Sequence, residues 1–168
     1  MPTQTTDLSI ALRPAHAEDE VLLRQVYGST RADELAQVDW SEAEKQAFVD
    51  AQFAAQKSSY INNYPGAEFL VVLAAGEPAG RLYLHRRPAE IRIMDLALLP
   101  TYRGRGIGSR LLRQIMAEAQ ADGLQVTIHV EKFNPALRLY QRLGFRVLKD
   151  KGVYYFLAWE RAPEPHAR

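Results

Sequence analysis

The spacing of apolar and polar residues predicts helices in the first part of the chain. A short apolar segment at 8–13 predicts a first strand, and a helix is predicted at 18–35 because acids in its first turn favour the positive end of the helix dipole. Ser41 and Glu44 have the spacing of a capping box, which predicts a second helix that extends to about Ser59. Two helices therefore follow the first strand.

The second part of the chain changes to the alternation that is typical of strands. Segments 68–75 and 79–86 predict a hairpin about a turn at 76–78, and 91–100 predicts another strand that a proline ends. The remaining elements are predicted in the order helix, strand, helix, strand, strand, at 107–122, 124–130, 134–143, 145–150 and 153–159. The chain is therefore predicted to be a mixed α/β protein with one central sheet flanked by helices.

Composition and charge mainly exclude classes of protein. The chain has 168 residues, with 21 Lys plus Arg against 20 Asp plus Glu, and no Cys. This length fits one domain over 1–168, with a core at about 8–160 and a polar tail at 161–168. The balanced charge disfavours nucleic acid and anionic membranes as partners, and the absence of Cys excludes disulfides, a thiolate metal site and a cysteine nucleophile. We expect a cytoplasmic protein without a metal, because there is neither a signal-peptide pattern nor an apolar run that could span a bilayer.

Three alternating glycines precede the helix predicted at 107–122. Gly104, Gly106 and Gly108 stand between a strand and a helix, and Arg103 and Arg105 flank them. Helix N-termini bind anions, and glycines let a phosphate approach the backbone amides because no Cβ intervenes. The stretch therefore predicts a phosphate cradle, although it matches neither the Walker pattern nor the dinucleotide fingerprint. A solvated turn and an RNA contact are the alternatives.

Two stretches resemble motifs of the GNAT superfamily of acyl-CoA-dependent N-acyltransferases. LLPTYRGRGIGSRLL is similar to motif A, whose pattern of Gln or Arg, two residues, Gly, one residue, and Gly or Ala is met by Arg103, Gly106 and Gly108. NPALRLYQRLGF, at 134–145, is similar to motif B, a helix that carries a tyrosine and ends in LGF. The two stretches lie about 26 residues apart with a strand between them, and the order of elements from 8 to 160 is also similar to this family.

The resemblance implies a single GNAT-like domain and a binding site for acetyl-CoA. It implies about seven strands in a mixed, mostly antiparallel sheet with about four helices, and a V-shaped cleft between the strands at 91–99 and 124–130. The loop amides would hold the pyrophosphate, and the backbone of the strand before the loop would hold the thioester carbonyl and the pantetheine arm. The residues that this implies for acetyl-CoA binding are Leu96, Ala97, Leu98, Arg103, Gly104, Arg105, Gly106, Ile107, Gly108, Ser109, Asn134 and Tyr140.

The implied reaction is direct transfer of an acetyl group to a primary amine in a ternary complex. Tyr140 matches the motif B tyrosine and is the candidate acid for the departing thiolate, with a core aromatic as its alternative. Asp95 interrupts an apolar strand and is the candidate base or ammonium ligand, unless it is a structural carboxylate paired with Arg92 or an amide. His129, Glu131 and a water path are further candidates for the base.

Asn134 departs from the motif B pattern, because it precedes the alanine by two residues rather than three. We therefore expect it to cap the following helix, with Pro135 at the first helical position, although the resemblance also makes it a contact for acetyl-CoA.

The acceptor would be a small-molecule amine or a protein amine. Acidic and aromatic residues at 29–66 suit a cationic amine. A homodimer is also possible. A module of the same fold that binds acyl-CoA without turnover is the alternative function.

Overall fold

The computed structural model describes residues 8–161, and the rest of the predicted tail lies outside this range. Within it, the helices α1 to α4 are Glu20–Leu35, Glu42–Asn63, Ile107–Asp122 and Leu137–Arg142. The strands β1 to β7 are Ile10–Pro14, Glu68–Ala74, Glu77–Arg86, Glu90–Leu98, Gln125–Glu131, Arg146–Asp150 and Tyr154–Trp159. Short 3₁₀ helices lie at Ala17–Asp19 and Pro100–Tyr102.

The strands form one open, mixed sheet in the order β1-β2-β3-β4-β5-β7-β6. The pairs β1–β2, β5–β7 and β6–β7 are antiparallel, and β4–β5 is parallel. Helix α3 lies in the connection from β4 to β5, as the crossover between neighbouring parallel strands requires. The predicted α/β class, with seven strands and four helices, is confirmed.

By its internal contacts the chain divides into two compact units. The first holds the residues up to Leu82 together with Leu96–Arg105, and the second holds Tyr83–Asp95 together with the residues from Gly106 onward. Strands β3 and β4 each contribute residues to both units.

The core of the first unit is built from α1, α2 and β2. Apolar side chains meet there because each helix turns one face of its repeat inward, and the central members are Leu23, Tyr27, Val49, Phe53 and Val71. Full burial of one such side chain contributes about 1.5–3 kcal/mol to folding. The capping box predicted at the start of α2 is confirmed: the Glu44 amide donates to Ser41 Oγ, and the Ser41 amide donates to the Glu44 carboxylate.

The second unit contains α3, the helix predicted at 107–122. Ile107, Leu111, Ile115 and Ala119 are buried at intervals of four residues, and α3 packs against β5. Gly123 ends the helix in the left-handed conformation that glycine adopts readily. No helix among residues 8–161 is both long and apolar enough to cross a membrane.

Three of the differences from the sequence-based boundaries lie at the end of α2, in the β2–β3 turn and at the start of α4. Helix α2 runs on to Asn63, and the β2–β3 turn consists of Ala75 and Gly76, both with positive φ, so β3 already begins at Glu77. Such a two-residue turn matches the twist of a hairpin, which explains why it is tighter than the predicted turn at 76–78. The third difference, at the start of α4, concerns the candidate site.

Candidate active site

The register between β4 and β5 ends where the candidate residues begin. The parallel pairing runs from Glu90 opposite Gln125 to Ile93 opposite Ile128, whereas β5 continues to pair with β7 as far as Glu131. The next titratable side chains are Asp95 on β4 and His129 on β5. Because side chains alternate along a strand, Asp95 lies on the face of Ile93 and His129 lies on the opposite face.

Tyr140 lies on α4 and is almost completely buried. Its exposed fraction is 4%, and its ring packs edge-on against Phe145 at 5.5 Å between ring centroids. Burial raises the pKa of the Tyr140 hydroxyl, and the negative charge of Asp95 raises it further. The hydroxyl therefore stays protonated at neutral pH, and Asp95 lies close enough for its charge to act on it.

Asp95 is half-buried in the second unit, and the geometry argues against its suggested pairing with Arg92. Residues three apart in a strand point to opposite faces. The Arg92 guanidinium instead donates to Thr127 Oγ1 at 2.7 Å and to Glu90 Oε1 at 3.1 Å. Arg92 thus binds Thr127 and Glu90 rather than Asp95, whose negative charge acts on Tyr140.

His129 lies in a cluster around the ring of Phe156. The two ring centroids are 4.8 Å apart, and Lys151 Nζ lies 3.1 Å from His129 Nε2. Partial burial lowers the pKa of His129, and the positive charges of Lys151 and Arg92 lower it further, whereas Glu90 opposes them. The imidazole is therefore neutral at pH 7 and able to accept a proton.

Arg92 and Glu90 form the neighbouring part of this face. Thr127 donates to Glu90 Oε2 at 2.6 Å, and Arg87 and Arg92 each bind Glu90 Oε1 at 3.1 Å. Burial raises the pKa of Glu90, but the Thr127 hydrogen bond and the two arginines outweigh this effect and leave the pKa below its ordinary value. Two guanidinium groups thus share one carboxylate close to His129.

The glycine loop has an open backbone. Gly104 and Gly106 adopt positive φ values of 73° and 77°, and a Cβ at either position would meet no atom within 4 Å. Gly106 is the N-cap residue of α3, and no side chain caps this helix end. A Cβ on Gly108 would lie 3.7 Å from the Leu139 side chain, which is ordinary contact. Unoccupied space thus borders amides that carry the positive end of the helix dipole, as an anion site requires.

The two loop arginines of the first unit already have contacts within the protein. Arg103 donates from Nε to the Leu98 carbonyl at 2.9 Å and from Nη2 to Ser29 Oγ at 3.2 Å. The Arg105 guanidinium lies 5.6 Å from the centre of the Tyr102 ring. Arg103 therefore ties the loop to the end of its strand, a role that the sequence did not indicate.

Leu96, Ala97 and Leu98 form the end of β4 beside a glycine that sequence reasoning missed. A Cβ on Gly80 would lie 2.2 Å from the Ala97 carbonyl oxygen and 2.9 Å from Leu98 Cα. The neighbouring Leu99 amide donates to the Ala79 carbonyl at 2.8 Å. Gly80 thus permits the close approach of this backbone, and only an isolated glycine inside a strand pattern could have signalled it.

The position of Asn134 corrects the expected helix start. Helix α4 begins at Leu137 with Ala136 as its N-cap residue, so Asn134 and Pro135 precede it. The Asn134 side chain nevertheless accepts a hydrogen bond from the Ala136 amide at 2.9 Å. Asn134 therefore stabilises a turn ahead of the helix, because an Asn side chain competes for nearby amides in this way.

Glu131, the remaining candidate base, ends β5 opposite Tyr154 and shares a face with His129. Of the polar residues on this face, Lys151 and Arg92 were not predicted as site residues. A turn lysine and a strand arginine carry no distinguishing sequence pattern, so only the fold reveals their positions beside His129.

A parallel strand pair whose register stops short, a glycine loop before a helix and a buried tyrosine on a later helix are features that the resemblance to acyl-CoA-dependent N-acyltransferases implies. The chain belongs to the acetyltransferase (GNAT) family, which it matches over residues 30–145. The protein is therefore an acetyl-CoA-dependent acyltransferase.

Relatives of known name agree with this class. N-alpha-acetyltransferase RimI of Mycobacterium tuberculosis is 31% identical over 121 residues, which cover 68% of this chain and 75% of that protein. The [Ribosomal protein bS18]-alanine N-acetyltransferase of Haemophilus influenzae is 33% identical over 67 residues, 39% of this chain and 46% of that protein. The matched regions of three further curated relatives cover 29%, 51% and 34% of those proteins.

Solved structures share the fold. The PaiA N-acetyltransferase of Thermoplasma acidophilum, crystallised in complex with coenzyme A, superposes with a TM-score of 0.67 at 21% identity. The superposition covers 90% of this chain and 99% of that one.

Proposed function

We propose that the protein transfers the acetyl group of acetyl-CoA to a primary amine by direct attack in a ternary complex. The observation that carries the proposal is a pair of titratable groups: His129, just beyond the last residues that pair β4 with β5, and Tyr140 on α4. His129 is neutral at pH 7, and Tyr140 is protonated, buried and close enough to Asp95 for the carboxylate to raise its pKa. The two groups are in the protonation states that the reaction needs.

The proton balance assigns one group to each partner of the reaction. The amine nitrogen bonds to the acetyl carbon, the carbon–sulfur bond breaks, and the sulfur leaves with the electron pair. The amine must lose a proton because an alkyl ammonium, with a pKa of about 10.4, is not nucleophilic. We assign acceptance of that proton to His129.

Two considerations favour His129 over Asp95 and Glu131 as the base. The lowered pKa keeps the His129 imidazole unprotonated at pH 7, whereas the charge of Asp95 acts on the Tyr140 hydroxyl. A neutral imidazole is also a stronger base than a carboxylate, since its ordinary pKa is about 6.5 against about 4 for Asp and Glu. Asp95 then acts as a positioning residue for Tyr140, and Glu131 has no assigned step.

Tyr140 is assigned to the departing sulfur. A raised pKa makes the hydroxyl a reluctant proton donor, but it keeps the proton in place as a hydrogen-bond donor. Such a donor stabilises developing negative charge most effectively where water is excluded, and Tyr140 is buried. The hydroxyl thus stabilises the thiolate by a hydrogen bond, with full proton transfer completed in solution.

The glycine loop is proposed to hold the pyrophosphate of acetyl-CoA. The support is the open space above Gly104 and Gly106, and the uncapped start of α3 at Ile107, Gly108 and Ser109. The backbone of Leu96, Ala97 and Leu98 is proposed for the pantetheine arm, with Gly80 fixing its position. Arg103 and Arg105 border the loop. Asn134 is a less favoured contact for acetyl-CoA, because its side chain already accepts a hydrogen bond from the Ala136 amide.

The acceptor is proposed to include the α-amine of a polypeptide. The support comes from the relatives, which are named for N-alpha acetylation and for the alanine of a ribosomal protein. A cytoplasmic location fits such acceptors.

The proposed function is tested by release of free thiol from acetyl-CoA in the presence of peptide amines. A variant pair probes the cofactor site: Gly108→Glu places a carboxylate at the start of α3, and Gly108→Gln places a neutral group of the same size there. The acid is compatible with the helix dipole, so folding should persist, but it should repel pyrophosphate. We expect acetyl-CoA to raise the melting temperature of the wild type and of Gly108→Gln more than that of Gly108→Glu.

Equal responses of the two variants would contradict the assigned pyrophosphate site. Absence of thiol release with every amine, despite stabilisation by acetyl-CoA, would contradict the proposed reaction.

A further inference from the structure

We propose that Lys151 selects acceptors that carry a carboxylate next to the reactive amine, and that pairing with this carboxylate draws Lys151 away from His129. The inference rests on the proposed function, in which His129 is the base. It makes Lys151 a specificity-determining residue and names the substrate class as amines with a neighbouring anionic group.

The first observation is the contact between Lys151 and the base. Lys151 lies in the turn between β6 and β7, where its amide donates to the Tyr154 carbonyl at 2.8 Å. Its ammonium lies 3.1 Å from His129 Nε2 and 5.4 Å from the centre of the Phe156 ring. An ammonium is only a donor, so Nε2 must be the acceptor, and the ring proton is then on Nδ1. The lone pair that would take the proton of the amine is therefore already engaged.

The second observation is the charge around this contact. Lys132 pairs with Asp150 at 2.7 Å, and Arg87 and Arg92 pair with Glu90. Among the residues that the structure describes, Lys151 has no carboxylate partner. It contacts a neutral imidazole and an aromatic face instead.

These observations together indicate an anionic ligand. A hydrogen bond between an ammonium and a carboxylate is stronger than one to a neutral acceptor. An acceptor that brings a carboxylate to the β6–β7 turn therefore supplies the missing partner and leaves His129 Nε2 available for the proton of the amine. An acceptor without an anion must compete with Lys151 for the same lone pair.

The test compares matched acceptors that differ in one charge. Two tripeptide amides begin with alanine and carry glutamate or glutamine in the second position, and free glutamate and free glutamine form a second pair that differs in the side-chain carboxylate. We expect the wild type to prefer the acidic member by about fivefold in kcat/KM, the scale of one partly exposed ion pair. The pair that shows the preference identifies whether the carboxylate belongs to a peptide side chain or to a free amino acid.

Variants assign the preference to one side chain. Lys151→Gln should bring the ratio of the acidic to the neutral acceptor close to one, and Lys151→Glu should favour a tripeptide amide with lysine in the second position. Lys132→Gln is the matched control, because it removes a nearby lysine whose ammonium binds Asp150 rather than His129, and its ratio should stay that of the wild type.

A wild-type ratio close to one, or a ratio that Lys151→Gln leaves unchanged, overturns the inference while the proposed function stands. If no amine releases thiol from acetyl-CoA, the proposed function fails and this inference fails with it.

Discussion

The two faces at the end of the β4–β5 register hold their titratable groups by different means. Tyr140 is buried against the ring of Phe145, and its pKa is raised above the ordinary value by burial and by Asp95. His129 lies against the ring of Phe156, and its pKa is lowered by partial burial, Lys151 and Arg92. The first environment keeps the Tyr140 hydroxyl protonated, and the second keeps the His129 imidazole neutral.

The comparison teaches that the same physical effect supports both roles. Burial disfavours the charged form of either group, so it raises the pKa of an acid such as tyrosine and lowers that of a base such as histidine. The neighbouring charges reinforce burial in each case, since Asp95 repels a tyrosinate and Lys151 repels an imidazolium. Changing one neighbour at a time should separate the two environments.

The largest effect is expected from His129→Gln, which removes the proposed base. A positioned base contributes at least about a hundredfold to the rate, so kcat/KM for the amine should fall by about that factor. The melting-temperature shift caused by acetyl-CoA should not change. Steady-state thiol release across amine concentrations measures the first quantity, and a loss below threefold would transfer the role to Glu131 or to water.

Tyr140→Phe should lower kcat several-fold with little change in the affinity for acetyl-CoA. The phenyl ring keeps the contact with Phe145 but removes the hydrogen bond proposed for the departing sulfur. Single-turnover kinetics with saturating acetyl-CoA measure the change. An unchanged kcat would make Tyr140 a core aromatic, and Phe145→Leu, which disturbs the same packing but keeps the hydroxyl, is the control.

Lys151→Gln should shift the acidic limb of the pH profile of kcat/KM to higher pH. Removing a positive charge beside His129 makes the imidazolium less unfavourable, so the pKa of His129 rises and a smaller fraction is neutral at a given pH near that pKa. At pH values well above the pKa of His129 in both the wild type and Lys151→Gln, the fraction of neutral imidazole is the same. NMR titration of the imidazole in Lys151→Gln and in Lys132→Gln measures the shift, which only the former should show.

Asp95→Asn is expected to have the smallest effect on catalysis. Loss of the carboxylate should lower the pKa of Tyr140, although burial still holds it above the ordinary value. Absorbance titration of the tyrosinate, with Tyr140→Phe as the reference, measures this change. If instead the KM of the acceptor rises and the pKa of Tyr140 stays constant, Asp95 binds the acceptor amine and does not act on Tyr140.

The backbone features of the site were predictable because they depend on local sequence. Gly104 and Gly106 take positive φ values that other residues rarely adopt, and the apolar repeat of α3 sets where that helix starts. Tyr140 was found through its resemblance to a family motif, whereas its spacing alone also fits a core aromatic. The start of α4 was misplaced because Asn134 forms a turn of its own with Ala136.

The contacts that tune the site were not predictable from the sequence. Lys151 is 22 residues from His129 in the chain, and Arg92 is 35 residues from Thr127. Gly80 is required by the Ala97 carbonyl, which approaches it from another strand. No local pattern records such neighbours, because strand pairing brings them together.

The sequence by itself thus determined the order of elements and the glycine loop and singled out Tyr140 as the proposed acid, since each depends on residues close in the chain or on a motif. Only the tertiary structure decided which titratable groups share a face and which charges surround them. The register of β4, β5 and β7 sets both, and one residue of slip would exchange the faces of Asp95 and His129. Protonation states therefore follow from pairing between distant strands rather than from the residues alone.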